Sequence, residues 1–140
     1  MDAVEQTSLQ VTSSSRWLLR EQTLGAPLEL SEVLALIPRL SARALRARYA
    51  VLRLVAHDAN AADRLYRYEH APSDLPPAIE EAIATQTRRE TVPILIPDLR
   101  ADADTAPLAP ARPISAASVP LFQRDALLGT LSVLDKLPGP

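Results

Sequence analysis

The sequence predicts an α+β fold, a central antiparallel β-sheet with N-terminal helices packed on one face. Three observations predict it. Two helical patterns lead the chain, before residue 46. β-rich runs then come in pairs, as antiparallel hairpins do. The chain closes on residues 118–135, SVPLFQRDALLGTLSVLD, which read as two apolar strands around the polar turn Gln123-Arg124-Asp125.

Each element has its own signals. Residues 1–15 are polar and end in Ser13-Ser14-Ser15, a flexible lead-in to a single domain over 16–140. Arg16 to Leu24 predicts a short helix carrying Trp17, Leu18 and Leu19, stopped by Gly25 and Pro27. A longer helix follows, with Ser31 as N-cap and Glu32 in the first turn. Leu30, Val33, Leu34, Ile37, Leu40, Ala44 and Leu45 recur on one face of it. Pro38 inside the run predicts a kink, or two helices in place of one. Tyr49 to His57 is short, β-branched and nearly all apolar, as in a central strand covered on both faces. Arg64 to His70 pairs with it across a polar connection. Pro76 and Pro77 sit where a helix begins, with Ile79, Ala82 and Ile83 as its apolar stripe. Thr91 to Ile96 is a further strand, placed at an edge by Pro93. Residues 98–113 form a long loop rich in Ala, Asp and Pro, with one helical turn at most. The closing hairpin has strands near 114–122 and 127–134.

Composition removes several function classes. A length of 140 residues suits one domain. The net charge of -2 leaves no electrostatic footprint for nucleic acid. No cysteine is present, which excludes disulfides, thiolate metal sites, thiol chemistry and thioether-linked pigments. No window reaches the apolar length of a membrane span, and the acidic N-terminus is not a secretory signal. The expected location is the cytoplasm. Lys136 is the only lysine, read here as a composition bias and not as a site.

The element order and certain motifs resemble the GAF domain, a small sensor and dimerising module. Ser115-Ala-Ala-Ser118, Val119-Pro120-Leu121 and Gly129-Thr-Leu131-Ser-Val133-Leu-Asp135 resemble its closing segment. Thr91 to Asp98 resembles the strand that ends in Asp at the start of the pocket loop, and Leu34 to Leu54 the passage from helix to first strand. The resemblance covers residues 16–138 and implies a loop-and-helix pocket layer on the second sheet face. One departure stands out: the family adds a long C-terminal helix, and this chain ends at Leu137-Pro-Gly-Pro140. An incomplete helical layer implies an apolar strip that favours self-association. For Pro120 and Gly129 the favoured reading is strand construction, ahead of ligand contact.

Candidate site residues follow from strand alternation. Tyr49, Val51, Arg53 and Val55 share one face of the first strand, and Tyr66, Tyr68 and His70 one face of the second. Thr130 and Ser132 share a face of the last strand, and Ser115 and Ser118 lie near the loop. Arg53 carries the most information, because an arginine in so apolar a strand needs a partner. An anionic ligand held bidentately would supply that partner; the slightly favoured reading is one of the chain's own acids, or simple exposure on an outer face. Asp98 opens the pocket loop; Asp98, Asp102 and Asp104 either cap helical turns or, the favoured reading, form a solvated charge run. His57 and His70 end neighbouring strands and approach each other across the first hairpin, yet two histidines make a poor metal or haem site, so both are read as solvated. No nucleophile elbow or phosphate loop is present, so no enzyme and no cofactor are expected. The family's cyclic-nucleotide signature is missing as well.

The expected function is therefore a bacterial signal-transduction module that binds an unknown small molecule between its sheet and the 98–113 loop. The resemblance implies relay through the helical face, homodimerisation through helices, and an output domain such as a histidine kinase of a two-component system. The alternative is a ligand-free GAF domain that dimerises or docks. Arg53 separates them: unpaired in an enclosed cavity, it favours sensing; paired with an acid or facing solvent, with the cavity filled, it favours docking.

Overall fold

The computed structural model describes residues 29–58, 60–70 and 74–138. The readings for residues 1–15 and for a helix over 16–24 lie outside the described residues. From Leu34 onward the described residues form one compact unit.

Helix α1 (Leu30–Leu45) is one helix that runs through Pro38, and it does not divide in two. Its start falls two residues earlier than the expected Ser31 N-cap implies. Glu29 precedes the helix, and its N–H donates to the Glu32 carboxylate at 2.8 Å, one half of a capping box. The buried side of α1 also differs from expectation. Pro38 and Ala42, one turn apart, are buried, whereas Leu40 and Leu45 are 57% and 55% exposed. α1 carries apolar residues around most of its circumference, so periodicity alone does not choose the packing face.

Five strands form the sheet: β1 (Ala47–Leu54), β2 (Arg64–Glu69), β3 (Ile94–Ile96), β4 (Ala116–Gln123) and β5 (Ala126–Lys136). Their spatial order is β2-β1-β5-β4-β3, and every neighbouring pair is antiparallel. β1 is interior and mostly buried, and β3 is an edge strand, as Pro93 implies. Pro120 lies beyond the last β3–β4 pair, Ile94 opposite Ser118. Its missing N–H therefore costs no ladder bond on that side.

The closing hairpin turns at Arg124 and Asp125, with Arg124 at φ 58°. A register shift follows between Leu121 and Phe122. Gly129 sits beside it. A Cβ at Gly129 would fall 1.9 Å from the Arg53 carbonyl oxygen, so only glycine lets β1 and β5 close here.

Helix α2 (Pro77–Glu90) starts on two prolines and ends at Thr91, whose backbone is left-handed and donates to the Thr87 carbonyl at 2.8 Å. Ile79, Ile83, Ala84 and Thr87 are buried along one side, and α2 lies over β5 and β4. Its isoleucines pack with Tyr49, Leu134, Ala116 and Ile96 of the sheet. The 98–113 loop completes this layer, with its Leu99 and the Ile114 that follows it in the same core. It contains two short 3-10 turns, Leu99–Ala101 and Ala106–Leu108, where one was the most expected.

Candidate functional site

Register decides which strand residues face α2. Tyr49 stands opposite Leu134, Val51 opposite Ser132 and Arg53 opposite Thr130; across β5, Ser132 stands opposite Ser118. Directly paired residues share a face. Arg53, Thr130, Ser132 and Ser118 therefore form one polar strip under α2, and all four are buried. Tyr66 pairs with Leu52 and Tyr68 with Ala50, so both tyrosine side chains belong to the opposite face. Tyr66 and Tyr68 thus do not lie on the sheet face that carries Arg53, because alternation within one strand does not fix register against the next.

The hydroxyls of Ser118 and Ser132 bond each other at 2.8 Å. Thr130 Oγ1 is buried without a hydrogen-bond partner. Arg53 is fully engaged by the chain's own acids. Its Nε donates to Glu80 Oε2 at 3.1 Å and its Nη2 to Glu80 Oε1 at 2.5 Å. Its Nη1 donates to Asp63 Oδ2 at 3.0 Å. This is a fork-to-fork pair with a second carboxylate on the free edge. Asp63 in turn accepts the Ala56 N–H at 3.0 Å and lies 3.5 Å from Arg88 Nη1. The hydrogen bonds Arg53 donates to Glu80, above all, raise its guanidinium pKa. The Ala56 N–H, with Arg53 and Arg88, holds the Asp63 carboxyl below its ordinary range.

Beside Glu80 lies a cavity of about 100 Å³, lined by Tyr49, Val51, Leu75, Ile79 and Leu134 and rimmed by Arg67, Tyr68 and Glu69. That is room for about three waters, well below the roughly 300–1,000 Å³ of drug-sized ligand sites. A second ion cluster closes the far end of the sheet. Arg112 donates to both oxygens of Asp74 and both of Asp135, and Arg48 lies 3.5 Å from Asp135. The bonds from Arg112 hold the Asp74 carboxyl low, while the two acids push Arg112 well above the usual arginine value.

The remaining candidates fall elsewhere. Asp98 caps the first 3-10 turn, accepting the Arg100 N–H at 2.9 Å and the Arg100 guanidinium. Asp102 accepts the N–H groups of Asp104 and Thr105, each at 3.1 Å, and Asp104 meets Gln86 at 3.0 Å. Capping and tethering thus replace the solvated charge run favoured from sequence. Thr105 Oγ1 donates to the Leu99 carbonyl at 2.7 Å, which binds the loop to itself. Ser115 sits at the start of β4, its carbonyl accepting the Asp135 N–H at 2.7 Å. His57 follows the end of β1 and His70 the end of β2, and both are exposed. Because these strands are antiparallel, the two histidines stand at opposite ends of the hairpin, not at neighbouring loops. Among the described residues no cluster of His, Asp or Glu is arranged to hold a metal ion, and no helix is long and apolar enough to cross a membrane. Sequence reasoning missed Glu80, Asp63 and the Arg112 cluster. Only Glu80 carried a local signal, as an acid in the first turn of a helix.

The family model of the GAF domain matches residues 29–140. This chain belongs to the GAF domain family. GAF domains are sensor and regulatory modules of signalling proteins. The fold of this one has relatives among solved structures. A GAF domain of A. aeolicus in an inactive state is 11% identical, with 72% of this chain and 65% of that chain covered and a TM-score of 0.48. The GAF domain/HD domain protein of Geobacter sulfurreducens is 14% identical, with 80% and 78% covered and a TM-score of 0.50. The present GAF chain thus spans a little under two thirds of the first. No curated protein matches it.

Proposed function

We propose that this GAF domain is a regulatory module that works through protein contact, pairing with a second copy inside a signalling protein such as a histidine kinase. One observation carries the reading: Arg53, the residue best suited to seize an anionic ligand, is held by Glu80 and Asp63. Between α2 and the sheet the chain's own side chains leave a cavity of only about 100 Å³. Apolar surface lies outside instead. Leu36 and Leu40, 41% and 57% exposed, are one turn apart on the side of α1 turned away from Pro38 and Ala42. Such a stripe is self-complementary about a two-fold axis. Leu95 adds to the exposed apolar surface on the sheet face opposite α2.

Sedimentation velocity across a concentration series tests this. The wild-type chain is expected to dimerise, and Leu36→Glu with Leu40→Glu to leave a folded monomer. A wild-type chain that stays monomeric at every concentration would remove the reading. A second reading, sensing of a small ligand, is favoured by the apolar cavity of about 100 Å³ against Glu80.

A further inference from the structure

We propose that the Glu80 carboxylate is a built-in occupant of a carboxylate site on Arg53, and that short organic monocarboxylates exchange with it. The inference rests on the second reading above and names the ligand class. Four observations carry it. Glu80 reaches Arg53 through the same two-point fork that any free carboxylate would use. The same Glu80 forms part of the cavity wall, so a molecule in the cavity touches the carboxylate it must replace. The rest of that wall, Tyr49, Val51, Ile79 and Leu134, is suited to a short alkyl chain.

The third observation concerns what stays behind. Asp63 holds Arg53 Nη1 at 3.0 Å and is itself held by the Ala56 N–H. Arg53 therefore keeps its place when Glu80 leaves, with Nε and Nη2 open. The fourth is Thr130. It stands directly opposite Arg53 in the β1–β5 register, fully buried, with Oγ1 lacking a partner. A buried hydroxyl left alone is costly, and this one is a polar atom on the Arg53 face that Glu80 leaves unsatisfied. Arg67 on the cavity rim is the cation toward which a released Glu80 turns. No bond is made or broken; one ion pair replaces another. Because Glu80 lies in the first turn of α2, the exchange loosens the grip of that helix on the sheet.

The experiment is an NMR titration of the full chain, labelled with nitrogen-15, against sodium propionate, with sodium chloride at equal ionic strength as control. Saturable shifts of the Arg53 Nε–H and the Thr130 amide are expected, with a Kd near about 1 mM, the range open to so small a ligand. Glu80→Gln removes the internal competitor and is expected to tighten binding by about tenfold or more. Arg53→Lys is expected to abolish it. Absence of saturable shifts in both the wild type and folded Glu80→Gln would overturn the proposal, as would equal affinity in the two. If propionamide produces the shifts and propionate does not, the carboxylate inference falls and small-ligand sensing stands. If neither does, both fall.

Discussion

Removing the Arg53–Glu80 pair one side at a time gives unequal losses, and the structure says which is larger. Arg53 serves both Glu80 and Asp63, so Arg53→Met strands two carboxylates, one of them buried. Breaking a buried pair from one side costs about 3–5 kcal/mol. Glu80→Leu leaves Arg53 with Asp63 still in place, and a loss of about 2 kcal/mol is expected for its charge-assisted bonds. The double variant leaves only Asp63 behind, with the Ala56 N–H and Arg88 as partners. A buried pair replaced by apolar residues of similar size is often nearly neutral, so the double variant is expected within about 1 kcal/mol of the wild type. The coupling is then about 4 kcal/mol or more in magnitude, which is in the range measured for close charge pairs. Urea unfolding followed by far-ultraviolet circular dichroism measures all four stabilities. Losses that simply add, with coupling below about 0.5 kcal/mol, would refute the claim that this pair clamps α2 to the sheet.

Two further perturbations test other parts of the account. Gly129→Ala places a methyl group 1.9 Å from the Arg53 carbonyl oxygen, a backbone atom that cannot swing aside. A loss near the top of the roughly 1–3 kcal/mol range for overpacking is expected in the same urea assay, and a neutral outcome would contradict the close β1–β5 approach. Asp63 and Asp74 have folded pKa values depressed below 3.8. Groups of that kind stabilise fully above the unfolded value and lose their contribution as pH falls through the folded one. Acid titration of the wild type should therefore show stability falling below about pH 4 more steeply than in Asp63→Asn, and identical profiles would contradict the pairing.

Much of the fold was legible because its signals are local. Pro76-Pro77 marks the start of α2, and Pro93 places β3 at an edge. Gly129 marks a point where two backbones nearly touch. The face assignments were less legible. Period-two alternation put Tyr66 and Tyr68 on one side, but only the pairing of Leu52 with Tyr66 shows that this side is not that of Arg53. The opposite ends of His57 and His70 were implied by the antiparallel hairpin itself, and sequence reasoning did not carry that implication through. Arg53 stood out as a charge among apolar neighbours. Its partner Glu80 lies 27 positions away, and no local pattern brings a helix's first turn over a strand. The acids of the 98–113 loop show the reverse case. Asp98 and Asp102 cap turns within three residues of themselves, a local arrangement that composition concealed.

The most direct test of the central claim is native mass spectrometry of freshly purified chain beside a denatured control. The account predicts dimers with the mass of two bare chains and no small molecule released on denaturation. A stoichiometric added mass, present in the native sample and lost in the control, would contradict it, because a tightly held ligand requires an interior that Arg53, Glu80 and Asp63 have not already closed.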